Sequence, residues 1–201
     1  MNWEKYLKEK SNRIELVVTL ILFATILSLF TNFLNFIETR NGVVLPDPIL
    51  SLFNPVDLTW LIFSLIYLSI IIGLLTLINN PKRLLFTLQV YTLLILVRMI
   101  AMYLLPLNPP IKIIILDDPF VQLFGNGKPL TKDLFFSGHT AILFMLFLVS
   151  EKKIFKTFFL ISTTIVAIAI LVQHVHYTID VFAAFFFTYA CYKAMQELNP
   201  L

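Results

Sequence analysis

One cysteine, Cys191, stands in the whole chain, so no intrachain disulfide can form and cysteine usage is silent on the redox compartment. Charge is scarce as well: 13% of residues are Asp, Glu, Lys or Arg, and the net value is only +3. Nothing repeats at a fixed period and no low-complexity tract is present, which excludes a repeat array or a biased linker. What is abundant is apolar. The chain is 59% hydrophobic with a mean hydropathy of +0.88, against roughly 45–50% apolar in a soluble domain, so an ordinary soluble fold is excluded.

Six apolar stretches are long enough to cross a bilayer, at about 16–37, 58–78, 84–105, 134–150, 154–173 and 177–195, the fourth being the shortest. Only helices satisfy their own backbone groups in lipid. The expectation is therefore an all-α polytopic membrane protein, a six-helix transmembrane bundle in a single domain spanning 1–201. The first stretch is too long for a signal-peptide core, and no A-x-A-like site follows it before Asn41-Gly42, so it reads as an uncleaved helix. Asn79-Asn80-Pro81 marks a tight turn, and Pro106, Pro109 and Pro110 end the third stretch. The segment 106–133 is the longest loop, and within it 111–116 is too apolar to be a free linker.

The cations are sorted by side. Lys5, Lys8, Lys10, Arg13, Lys82, Arg83, Lys152, Lys153, Lys156 and Lys193 fall on the side of the N-terminus. Arg40, Lys112, Lys128 and Lys132 fall on the other, with Arg98 near that end of the third stretch. Ten against four over short loops predicts cytoplasmic N- and C-termini. Glu38, Asp47, Asp57, Asp117, Asp118 and Asp133 gather on the far, extracytoplasmic face.

Two blocks on that face carry chemistry: Phe135-Phe136-Ser137-Gly138-His139-Thr140 and His174-Val175-His176-Tyr177-Thr178-Ile179-Asp180. Ionisable groups at membrane depth are costly and are functional candidates by default. His176 and Asp180 are four apart, which would put both on one helix face. Asp180 then holds one imidazole nitrogen and leaves the other to attack. Ser137 is a good helix N-cap, Gly138 lets the backbone approach a ligand, and the free N–H groups there can hold an anion. His139 is placed to protonate a leaving oxygen. Each residue alone reads equally well as an interfacial group; together on one face they do not. A zinc site built from His139, His174, His176 and Asp180 would require residues 174–176 to be non-helical.

These residues resemble a known family. FFSGHT and HYTIDV look like the two catalytic motifs of the type 2 phosphatidic acid phosphatase superfamily, and specifically its sphingomyelin synthase branch. In that branch the second motif reads HYTxDV rather than the phosphatase form SRxxxxxHxxxD, and the first reads GDxLFSGHT. Asp133 and 135–140 match, Lys132 replaces the glycine, and Leu134 is one place off the family order. Val44-Leu45-Pro46-Asp47 resembles the branch's LPD motif, and Arg98 to Tyr103 followed by Leu105-Pro106 resembles its RxxTMY…LP motif. The N-terminal extension domain of some synthases has no counterpart in the sequence. The resemblance implies a phosphohistidine at His176, Asp180 as its orienter, and His139 as acid–base partner.

A charge argument points the same way. The sequence has no KxxxxxxRP stretch and no Ser-Arg ahead of His176, leaving Arg98 as the one basic residue within a span near the site. One Arg with helix N–H groups suits a phosphodiester monoanion better than a monoester dianion. Ser137, Gly138, Arg98, Tyr177, Asp47 and Asp133 form the expected substrate-binding set. The expected reaction moves phosphocholine or phosphoethanolamine from a glycerophospholipid to a ceramide- or diacylglycerol-like alcohol. The alternatives are a lipid phosphatase using water and a non-catalytic lipid binder. The partners are membrane lipids; no cofactor, metal or nucleic acid is invoked, and a homo-oligomer stays open. Trp3 and Tyr6 read as an interfacial anchor, and the phenylalanine runs as packing surface. Asp117-Asp118 reads as a solvated acidic loop, and His174 as a cap of the fifth stretch or a tuning residue.

Overall fold

Apolar runs bounded by proline, asparagine and charge become helices almost stretch for stretch. The computed structural model describes residues 2–116 and 130–199; Asp117, Asp118 and Lys128 lie outside the described residues. Among the described residues there are seven α-helices: α1 Trp3–Tyr6, α2 Lys10–Thr39, α3 Thr59–Leu77, α4 Pro81–Leu104, α5 Gly138–Val149, α6 Lys153–Val172 and α7 Thr178–Leu198. A short 3-10 turn, Leu50–Leu52, and one isolated parallel bridge between Val43 and Leu107 complete the regular structure. The all-α class is as the hydropathy requires.

Four helices, α2, α3, α4 and α6, are long and apolar enough to cross a membrane, which makes this a multi-pass integral membrane protein. The other two expected spans fall short of that measure. α5 has only 12 residues, or about 18 Å of helix. α7 has 21, but Asp180, Lys193 and Glu197 lie along it. The fourth stretch was expected from 134, yet its helix starts at Gly138. There the Phe136 carbonyl accepts from the distant Arg98 Nε at 2.8 Å, and Ser137 caps the helix.

α5 is the hub. It packs against α6, α7, α3 and α4, whereas α2 packs chiefly on α4. One core cluster joins Ile62, Phe63 and Ile66 of α3 to Leu143 of α5 and Val166 and Ile170 of α6. A second joins Leu94, Phe136, Ala141, Ala184 and Cys191, with Phe136 stacked on Phe187 at 5.0 Å. The phenylalanine runs are thus split between core and surface: Phe136 and Phe159 are fully buried, while Phe186 is exposed.

The helix ends are tied at both poles. At the pole holding most lysines, Trp3 Nε1 donates to the Ile78 carbonyl at 2.6 Å and Tyr6 donates to Glu15 at 2.6 Å, so the expected interfacial pair also clasps α2 and α3. At the opposite pole Gln173, fully buried, accepts from Leu58 N at 2.9 Å and donates to Thr59 Oγ1 at 2.9 Å and the Ile114 carbonyl at 3.3 Å. Within 111–116, Leu116 joins the core and the Ile114 N–H donates to the Gln173 carbonyl at 3.2 Å, while Ile111 and Ile115 stay exposed. Gly42 is required at this pole, because a Cβ would lie 2.4 Å from the Leu107 carbonyl carbon.

Candidate active site

α6 ends in a Schellman motif. Gln173 is the C-cap, the His174 N–H donates to the Leu171 carbonyl and the Val175 N–H to the Ile170 carbonyl, each at 2.9 Å. His174 takes the left-handed position, with φ of 57°. Residues 174–176 are therefore not helical, and α7 begins only at Thr178. The expectation that His176 and Asp180 share a helix face is corrected: they meet across the start of α7. Asp180 Oδ2 accepts the Tyr177 N–H at 3.0 Å and pairs with His176 Nδ1 at 3.3 Å. That pairing assigns Nδ1 as the donor and leaves Nε2 with its lone pair. Both residues are essentially unexposed. The non-helical loop meets the geometric condition for zinc, yet among the described residues no three His, Cys, Asp or Glu side chains gather as a metal site.

The second block arrives on α5. Ser137 is its N-cap, with Oγ accepting from Thr140 N at 3.4 Å. The Ser137 N–H donates to the Asp180 carbonyl at 3.2 Å, which fastens the two blocks together. The His139 and His176 rings come to 6.0 Å between centroids, at 66°. Arg98 reaches across from α4, donating from Nε to the Phe136 carbonyl and from Nη2 to Asp133 at 2.7 Å, with Phe30 under its guanidinium. A Cβ on Gly138 would sit 2.5 Å from Arg98 Nη1 and 2.7 Å from Cζ. The missing Cβ makes room for this guanidinium.

A cavity of about 580 Å³ opens from the pair of Arg98 and His139 into the bundle. Asp133, Arg98, Gly138 and His139 line it together with apolar walls of Phe30, Leu34, Ile66, Ile70, Leu94 and Ile95 from α2, α3 and α4. A few polar groups in a mostly apolar cavity suit an amphiphile.

Residues 132–198 match the family described as PAP2 superfamily C-terminal. The matched segment runs from Lys132 through α5, α6 and nearly all of α7, and so contains Asp133, Ser137, Gly138, His139, His176, Tyr177 and Asp180. Arg98, Asp47 and most of the cavity wall come from outside it. No curated protein matches the chain.

Two residues of the expected binding set brace the matched segment. The Tyr177 hydroxyl donates to the Asn108 carbonyl at 2.8 Å and accepts from Leu45 N at 3.2 Å, and the ring is buried. Asp47 accepts from Thr178 N at 2.6 Å and Thr178 Oγ1 at 3.1 Å, capping α7 from a distant loop, and from Ile49 N and Leu50 N. Burial raises the Asp47 carboxyl, but the bonds from Thr178, Leu50 and Ile49 outweigh it and hold it below the usual carboxylate range. The depressed value means the clamp is complete above the unfolded-state pKa and is lost as pH falls through the folded one. Wild type should therefore lose more thermal stability than Asp47→Asn between about pH 6 and about pH 3. Equal losses would show that Asp47 is no clamp.

The sequence reading missed Gln173 and the cavity tyrosines, Tyr67 and Tyr91. Gln173 left a signal, an uncharged amide closing an apolar run. The tyrosines left none, since a hydroxyl on an aromatic ring in an apolar helix reads as packing.

Proposed function

We propose that the protein is a membrane lipid phosphotransferase, moving a phosphocholine or phosphoethanolamine headgroup from a glycerophospholipid to a ceramide- or diacylglycerol-like alcohol. PAP2 superfamily domains are in general lipid phosphatases or transferases. The observation that carries the reading is the pair of histidine rings, 6.0 Å apart, with His139 lining the apolar cavity and His176 held by a buried carboxylate. A nucleophile and a proton donor thus stand side by side.

In the first half-reaction His176 Nε2 attacks phosphorus. The bond to the diacylglycerol oxygen breaks, and His139 gives that oxygen its proton. In the second, His139 takes the proton of the acceptor hydroxyl while its oxygen attacks phosphorus and the phosphorus–nitrogen bond to His176 breaks. Asp180 keeps His176 in one tautomer throughout and offsets the positive charge that the ring gains on attack. Arg98 already has Asp133 as a counter-ion, which leaves the site less positive than a lone guanidinium would. That supports a phosphodiester monoanion over a monoester dianion. The charge asymmetry of the two poles supports six spans, cytoplasmic termini and an extracytoplasmic site.

The test uses the full chain in liposomes with headgroup-labelled phosphatidylcholine or phosphatidylethanolamine, with and without ceramide or diacylglycerol. Label should appear in a new lipid only when the acceptor is present. Release of label to water regardless of acceptor would instead make the protein a hydrolase.

A further inference from the structure

A second cavity lies in the loop layer around the active site. It holds about 300 Å³ and shares no residue with the apolar one. Its walls are the loop of Val44, Leu45, Pro46 and Asp47, the segment of Pro110 to Lys112, and His174 with Tyr177. Two of its walls, His174 and Tyr177, flank His176 in the chain.

Most of its polar groups are already engaged. Asp47 accepts four hydrogen bonds over its two oxygens, and the Tyr177 hydroxyl both donates and accepts. His174 is the exception. It is 2% exposed, it lines the cavity, and its Nε2 has no hydrogen-bond partner. A buried polar atom left unpaired costs stability unless something else satisfies it. Its backbone deepens the anomaly. The left-handed position that closes a Schellman motif is normally glycine or asparagine, yet the chain places a histidine there at φ 57°. Backbone strain of this kind is characteristic of ligand clamps.

We propose that this cavity receives the headgroup arm of the phosphodiester, and that His174 selects a headgroup ending in an O–H or N–H over a trimethylammonium. The inference rests on the phosphotransfer reading and narrows it. Burial and the nearby Lys112 hold the His174 ring below its ordinary pKa, so it is neutral and offers one hydrogen bond at Nε2. A hydroxyl answers that nitrogen in either tautomer, and an amine answers it as a donor; a quaternary ammonium can do neither. Only Tyr177 and His174 itself are aromatic among the walls, short of the cage a quaternary ammonium takes. A phosphomonoester has no such arm, so an occupied headgroup cavity belongs with a diester substrate.

The experiment compares wild type with His174→Gly and His174→Asn, each as the full chain. Glycine removes the imidazole while favouring the same backbone, and asparagine tolerates that backbone and restores a hydrogen-bonding group. Initial transfer rates are read in liposomes with labelled phosphatidylethanolamine, phosphatidylglycerol or phosphatidylcholine as donor. Melting temperatures are read in detergent with the matching soluble glycerophosphodiesters. Wild type should prefer the ethanolamine or glycerol donor by at least about tenfold, the relative rates of those two identifying which terminus the cavity takes. His174→Gly should bring all three donors within about twofold, and His174→Asn should regain part of the preference. Headgroup-blind transfer by wild type, or a preference that survives His174→Gly, overturns the headgroup site and leaves the transferase reading intact. Soluble ethanolamine or glycerol diesters that stabilise wild type but not His174→Gly, with no label reaching any acceptor, support the site and sink the transferase reading. Neither stabilisation nor transfer removes both.

Discussion

His176→Ala should leave no turnover above background, whether label is followed into an acceptor lipid or into water. The loss should be at least about 10⁴-fold, the scale seen when a nucleophile or its orienter is removed from a site that works as a unit. No other side chain is placed to replace it: the His139 ring is centred 6.0 Å away, lining the cavity, and Asp180 is fully buried. The substitution also strands a fully buried carboxylate that already has one oxygen unpaired. A stability loss of roughly 1–3 kcal/mol is expected alongside, which a melting curve separates from the loss of chemistry. His139→Asn supplies the complementary result. It removes the proton donor and acceptor but keeps the nucleophile, so turnover should fall about 10²–10⁴-fold. Whatever label it retains should be found on His176 as an acid-labile phosphoramidate. Retention of even one hundredth of wild-type activity by a folded His176→Ala would remove the nucleophile from the mechanism.

Gly138→Ala should be nearly as damaging, although it adds a single methyl group. That methyl would sit 2.5–2.7 Å from the Arg98 guanidinium, which is pinned from behind by the Phe136 carbonyl and Asp133. The guanidinium must therefore leave the start of α5 or drag Asp133 with it. Losing one preorganised charge donor at a transferring phosphoryl group typically lowers kcat about 10²–10³-fold, and that is the expected effect. The overpacking itself should cost about 1–3 kcal/mol of stability. Arg98→Lys should lose a comparable amount of activity at little cost in packing, since an ammonium cannot make both the Phe136 and Asp133 contacts and still face the cavity. Activity of Gly138→Ala within about threefold of wild type would mean that Arg98 does not contribute at this position.

Much of the bundle was legible because lipid leaves the chain few choices: six apolar stretches became six helices with boundaries within a few residues, the start of the first and fourth excepted. The start of the fourth was misjudged because Leu134, Phe135 and Phe136 are as apolar as the helix they precede. Only the bond from Arg98 to the Phe136 carbonyl, invisible in the sequence, shows that the helix begins after them. The histidine–aspartate cluster was legible for the opposite reason, as such residues are conspicuous in an apolar background. Its geometry was not. Spacing of four residues placed His176 and Asp180 on a helix face, whereas a left-handed His174 ends one helix and lets the pair form across the start of the next. Asp47 and Tyr177 were expected to bind substrate; the structure shows them bonded to the protein, all but the Thr178 hydroxyl's bond being to backbone, and long-range bonds of that kind have no sequence signature.

The division of the chain at residue 132 has a consequence for how such a protein can change over generations. Everything that would make and break bonds lies on one side of that point, in a stretch fastened to itself by the Ser137 to Asp180 backbone bond. The shaft that would accept the hydrocarbon is framed largely by the other side, through Phe30, Leu34, Ile66, Ile70, Leu94 and Ile95. Reaction and diet are thus written in separate halves of one reading frame. Drift in the first half could then reshape the cavity wall while the second half stays untouched, provided Arg98, Asp47 and the backbone partners of Tyr177 are kept to join the two.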